Sequence, residues 1–308
     1  MKRSLIPLLA LGVTLFASMA SADDLNPRIH LYPINPENTG PRARDLEQVD
    51  QSARTEEAIA QNGEPANYAG AAKTNRNNLV NHGGPVMNFA HVVCIFWGSS
   101  LNSTNPYVVE MRSFRNSASG MVSHMGMLSQ YGVNETSLIG SQADVFDATN
   151  PSSTRVTDAM VQAEVAKYFG STFDPNTTYE VFIPNGYFSD DGTGATSCGG
   201  TNLQYCAYHS SGDGTHLNSN CKYSIEPYPS CSGCAGTGFN TNQNAEHFMV
   251  HETRESFTDP FGTAWWDRTG AEADDKCAWT GLFLETAADG HTYGYQPEWS
   301  NSAGGCVH

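Results

Sequence analysis

The run from Val86 to Trp97 most constrains the fold of this chain. It reads Val-Met-Asn-Phe-Ala-His-Val-Val-Cys-Ile-Phe-Trp and is bounded by Gly84-Pro85 and Gly98. A β-branched and aromatic run between breakers predicts a buried strand in the middle of a sheet. The segments after it alternate in kind. Asn105-Pro106 opens a helical pattern with Val108, Met111 and Phe114 on one face, since proline is tolerated in a first turn. A second helical stretch is expected over Met121 to Tyr131, and Thr136 to Phe146 reads as a strand. Thr154 to Phe169 is an amphipathic helix closed by Gly170, and Thr178 to Ile183 alternates as a strand. These elements imply a mixed α/β core in one globular domain over residues 79–308. Tyr187 to Gly238 is rich in Gly, Ser, Asn and Cys and reads as long loop, pinned by disulfides or functional.

The N-terminus points to export. Met1-Lys2-Arg3 precedes an apolar stretch from Leu5 to Met19 and an Ala20-Ser21-Ala22 cleavage pattern, so residues 1–22 are expected to be a signal peptide. Residues 23–78 have few large apolar side chains and read as a poorly ordered acidic tail or pro-segment, with a short helix over Asp45 to Ala60. The formal net charge is −16, and loss of Lys2 and Arg3 makes it more negative. Such a surface repels nucleic-acid phosphates and anionic membranes, so neither is an expected partner. Eight cysteines all lie beyond residue 22, and seven fall in the second half. In an exported chain, an even count favours disulfides, here stapling the second half. Cys206-x-x-His209 with Cys231-x-x-Cys234 also has structural-zinc spacing, but disulfides are the preferred reading.

Chemistry concentrates between Ala245 and Trp279. A helix over Asn244 to Phe257, stopped before Pro260, carries His251-Glu252-x-x-Glu255. Residues four apart share a helix face, so His251 and Glu255 can grip one cation. In the related H-E-x-x-H pattern the intervening glutamate takes a proton from water activated by the ion, which makes Glu252 the candidate base. Glutamate in place of the second histidine is still a zinc ligand. It makes the ion a weaker Lewis acid and zinc less specific. A third ligand is expected from downstream. Glu272 is the first choice, with Asp275 and Asp259 as rivals, and Asp275 could instead hold a ligand histidine from behind.

Four blocks then carry a resemblance. They are His82-Gly83-Gly84-Pro85-Val86 with the strand ending Phe96-Trp97-Gly98; Cys206-Ala-Tyr-His209; Tyr223-Ser-Ile with Cys231-Ser-Gly-Cys234; and His251-Glu252-x-x-Glu255-x-x-Thr258-Asp259-Pro260, followed by Ala264-Trp265-Trp266 and Glu272-x-x-Asp275-x-Cys277. In these the chain resembles the phosphate-induced protein 1 family, the plant EXORDIUM-like secreted proteins and their microbial relatives. The resemblance implies an extracellular, periplasmic or cell-wall location. It also implies a metallopeptidase-like site through His251, Glu252, Glu255, Glu272 and Asp275. The chain departs from the family's pattern at Ala273-Asp274, where relatives tend to carry Ile-Gly, and in its long acidic N-terminal segment.

The resulting expectation is a secreted, monomeric, zincin-like hydrolase. It would use Zn2+ or another divalent metal to cleave a peptide, protein or cell-wall substrate. A zinc peptidase is the first choice. The rival is a non-catalytic extracellular or cell-wall binding protein whose metal is structural or absent. Trp265, Trp266 and Trp299 could stack on sugars in that case.

Overall fold

The computed structural model describes residues 29–38, 77–134 and 137–308. The expected signal peptide and the expected helix over Asp45 to Ala60 lie outside these residues. In chain order the strands are β1 (His30–Pro33), β2 (Val80–Asn81), β3 (His91–Trp97), β4 (Val145–Asp147), β5 (Arg155–Thr157), β6 (Thr177–Ile183), β7 (Phe188–Asp190), β8 (Tyr205–Ser211), β9 (Lys222–Pro227), β10 (Trp265–Trp266), β11 (Phe283–Thr286), β12 (Thr292–Tyr295), β13 (Glu298–Ser300) and β14 (Gly305–Val307). The α-helices among the described residues are α1 (Pro106–Asn116), α2 (Asp158–Phe169) and α3 (Thr241–Thr258). The fold is mixed α/β.

A six-stranded sheet in the order β1-β8-β9-β6-β3-β4 forms the centre. Strands β4, β3, β6 and β9 run parallel, whereas β8 and β1 are antiparallel additions. Side chains alternate across β3, so Val92, Cys94 and Phe96 join α1 and α3 in one core. Val93, Ile95 and Trp97 join Val161, Val165 and Phe169 of α2 in a second core on the opposite face. Helices on both faces explain why β6, β8 and β9 are buried along their whole lengths.

Local chemistry sets the helix ends. Asn105 caps α1 with Pro106 in its first turn, and Thr157 caps α2. Asn240 and Gln243 form a reciprocal capping box on α3, which ends at Thr258 with Asp259 as its C-cap, ahead of Pro260. Every residue of α3 from Gln243 to Thr258 is buried. It is therefore an interior helix with functional groups on all sides, and its ends extend beyond the expected 244–257.

Other expectations are corrected. Strand β3 starts at His91, because Phe89 takes a positive φ of 56° and ends any extension from Val86. Met121 to Tyr131 forms two 3-10 helices, Met121–His124 and Gly126–Tyr131. Thr154 to Phe169 begins as β5 before turning helical at Asp158. Of the described residues in the expected strand Thr136 to Phe146, only Val145 and Phe146 are strand, as the start of β4. The supposed loop Tyr187 to Gly238 contains β7, β8 and β9. In β9, Tyr223 and Ile225 face the α2 core while Ser224 and Glu226 are buried and polar, so simple alternation of apolar and exposed polar residues is missing. The expected tail also contributes β1, which pairs with β8 at the sheet edge. Its Tyr32 is fully buried, and a single such aromatic is too little apolar sequence to reveal a strand.

Three disulfides close the second half: Cys198–Cys231, Cys206–Cys234 and Cys277–Cys306. They consume the thiols of the alternative structural-zinc pattern. Cys94 and Cys221 are buried and unbridged. The Cys206–Cys234 bridge ties β8 to the short helical turn Ser232–Cys234. Cross-links of this loop length stabilise by about 3–4 kcal/mol. Replacing both Cys206 and Cys234 with alanine should therefore lower unfolding stability by about that amount, read from denaturant unfolding fitted with each protein's own m-value.

Candidate metal centre

Helix α3 lies across β8 and β9 and brings His251, Glu252 and Glu255 over the sheet. The one-turn spacing places His251 Nε2 3.0 Å from Glu255 Oε2. The loop after β10 returns beside them. Asp275 Oδ1 lies 3.9 Å from His251 Nε2, and the Asp275 backbone N–H donates to Glu255 Oε1 at 2.9 Å. All five residues expected at the site therefore converge, because Glu272 completes the cluster from the same loop.

A histidine not expected at the site links them. His209 of β8 has Nδ1 3.0 Å from Glu252 Oε2 and 3.7 Å from Glu255 Oε2. Its Nε2 is 3.5 Å from Glu272 Oε2. Directly opposite His209 in the strand register stands His30 of β1. The two rings stack with centroids 4.8 Å apart, and His30 Nδ1 is 3.3 Å from Glu272 Oε1. Three donor triads result: His30–His209–Glu272, His209–Glu252–Glu255 and His251–Glu255–Asp275. A ligand cage around zinc, with bonds of about 2.0–2.2 Å, has edges of about 3.3–3.5 Å, and the observed separations bracket that length.

Asp275 faces the same nitrogen of His251 as Glu255 does, so it does not hold the ring from behind. Gln296 takes that position, with Nε2 3.1 Å from His251 Nδ1 and donating to the Asp274 carbonyl at 3.0 Å. His251 Nε2 and the Gln296 side-chain oxygen are both buried without a hydrogen-bond partner, and a cation held on Nε2 would place the ring proton on Nδ1, facing Gln296. Asp259, the other rival ligand, is the C-cap of α3 and accepts the Thr263 and Ala264 backbone N–H groups at 2.6 and 2.7 Å. It orders the loop and presses on Glu272, and it belongs to none of the triads.

The electrostatics are severe. His209, His251, Glu252, Glu255 and Glu272 are at most 2% exposed, whereas His30 and Asp275 are each 13% exposed and mark the way in. The ion pairs of Glu252, Glu255 and Glu272 are to histidines. Arg254 is turned away to Asp274 and Glu298. Burial, then the neighbouring Glu255 charge, pushes Glu252 and Glu272 well up, and burial pushes Glu255 up to about 7. Burial holds His209 and His251 below the usual histidine range, so they supply no compensating charge near neutrality. Glu252 Oε1 and both Glu272 oxygens are buried without a hydrogen-bond partner. Orphaned carboxylate oxygens beside neutral imidazoles are the donor set of a divalent cation, and a mixed nitrogen and oxygen set suits zinc.

Sequence spacing revealed the helix pair but not the two strand histidines, which meet it only through sheet register. Cys206-Ala-Tyr-His209 carried the one available pointer. Neither a protein-family model, nor a curated protein, nor a solved structure matches this chain. No helix among the described residues is long and apolar enough to cross a membrane.

The pH dependence has a definite sign. Glu252, Glu255 and Glu272 keep protons in the fold that the unfolded chain has lost above 4.5. Their contribution is full below that value and is lost as pH rises through the folded values. The buried histidines act oppositely, but only below about pH 6.5. With chelator present, the thermal midpoint should therefore fall between pH 6.5 and 8, and added Zn2+ should restore it. A flat profile would mean that the cluster is neutralised in another way.

Proposed function

We propose that this protein is an exported metal-dependent hydrolase, most specifically a zinc peptidase. The observation that carries this reading is the 3.0 Å approach of His251 Nε2 to Glu255 Oε2 inside a buried set of carboxylates and imidazoles. His251, Glu255 and Asp275, which form one of the donor triads, would hold the cation. The bound ion would supply a Lewis acid and lower the pKa of water.

The chain's own residues do the rest. Glu252 has one oxygen on His209 Nδ1 and the other without a partner, so it can accept a proton at Oε1 while Oε2 keeps His209 oriented. Its raised affinity for protons suits a group that takes a proton and returns it to a leaving amine. Gln296 fixes the plane of His251. Burial excludes bulk water and leaves a narrow approach past His30 and Asp275. The three disulfides and the exported-type N-terminus support an oxidising, extracellular, periplasmic or cell-wall setting. The motif resemblance to the phosphate-induced protein 1 family points to the same setting.

One observation favours a second reading, a non-catalytic extracellular protein with a structural ion. The cluster offers three overlapping donor triads linked through His209 and Glu255, more donors than the three ligands that an open catalytic site needs.

Two variants separate these outcomes. Glu252→Gln should retain zinc, measured by elemental analysis, and lose hydrolysis of a protein substrate by at least about 100-fold. His251→Ala should lose both the metal and the activity. Full activity in Glu252→Gln would refute the assignment of the base. Zinc content unchanged in His251→Ala would refute the site.

A further inference from the structure

Strand β1 reaches the candidate centre from a distant part of the chain. More than forty residues separate Pro33 from β2, the next strand among the described residues. Yet β1 lies along the outer edge of β8, the strand that carries His209. Without β1, β8 would be an edge strand with free backbone N–H and C=O groups running past the site. Such an edge is a template for one added extended peptide.

The seating of β1 matches that mode of binding. Backbone pairing aligns His30 with His209, Leu31 with Tyr208 and Tyr32 with Ala207, and breaks at a bulge before Pro33. Residues two apart share a face, so His30 and Tyr32 both point towards α3. His30 covers His209 and Glu272. Tyr32 fills an aromatic pocket made by His247, Phe248, His251 and Trp279, with ring centroids 4.3 to 5.6 Å away. Trp279 Nε1 donates to the Pro33 carbonyl at 2.7 Å, and Tyr32 OH is 3.4 Å from His247 Nδ1. One side chain thus occupies the approach to the metal ligands while another, two residues on, sits in a deep pocket beside His251.

We infer that the edge of β8, with the pocket of His247, Phe248, His251 and Trp279, is a binding groove for an extended peptide bearing an aromatic side chain, and that residues 30–33 fill it as an intramolecular occupant. This rests on the peptidase reading above and gives it a substrate class and a control. Substrate would enter antiparallel to β8, as β1 does, and with its aromatic residue in the Tyr32 pocket. The chain before β2 would then act as a removable pro-segment that holds the site shut.

The test uses the full chain with a site for a specific protease engineered between residues 39 and 76. After cutting, a fluorescent synthetic peptide of residues 29–38 is titrated onto the protein, and hydrolysis of peptides with and without an aromatic residue is measured. The inference expects three results. The cut chain binds the labelled peptide saturably, a Tyr32→Ala version of that peptide binds at least ten-fold more weakly, and cutting raises hydrolysis while excess peptide suppresses it. If the cut chain unfolds or binds no peptide while the uncut enzyme is fully active, β1 is an integral strand and the inference is overturned. Saturable peptide binding with no hydrolysis under any condition would uphold the groove and reject the peptidase reading.

Discussion

The structure turns on the burial of carboxylates beneath α3. Glu252, Glu255 and Glu272 sit beside neutral histidines in a site closed to bulk water. Ionising buried carboxylates that lack cationic partners costs several kcal/mol each even after relaxation, so burial raises their hold on protons. A chain that kept such groups only for stability would do better with leucines. The same expense supports the proposed metal site, because a small dication bound there would neutralise the buried carboxylates. The sheet beneath continues the pattern. Glu180 on β6 accepts a hydrogen bond from Thr253 of α3 at 2.6 Å and another from Ser224 of β9. The helix therefore rests on a polar bed opposite an otherwise apolar core.

That bed explains the architecture around it. Parallel strands buried on both faces need helices above and below, and α2 meets a largely apolar face on which the Tyr208 and Tyr223 hydroxyls donate to its Asp158. On the other face, apolar packing divides into one cluster where α1, β3 and α3 meet and a smaller one around Tyr32, Ala207 and Phe248. Between them, Arg254 is fully engaged with Asp274 and Glu298, so the one cationic side chain of α3 organises the C-terminal strands rather than neutralising the centre.

Much of the fold was legible because its elements are local. Helices α1 and α2, strands β3 and β6, and the metal-site helix announce themselves through caps, breakers and periodicity. Residues His251 and Glu255 were legible for the same reason, since one turn of helix relates them. His209 and His30 were not, because their meeting depends on the antiparallel register of β1 with β8, a property of two distant segments. Strands β8 and β9 hid in a polar, cysteine-rich stretch because their inner faces carry His209, Ser224 and Glu226 instead of aliphatic residues. Gln296 was equally invisible: nothing near it in sequence marks it as the support of a helix-borne imidazole.

The two bridges Cys198–Cys231 and Cys206–Cys234 interleave along the chain, each beginning inside or ending outside the span of the other. Strands β8 and β9 both lie within their shared reach. A backbone scission in the connection between Ser211 and Lys222 would leave the two pieces sewn together twice. The wall of the site that bears His209 would stay in register with its neighbour, and a nicked molecule in protease-rich surroundings would remain a whole one.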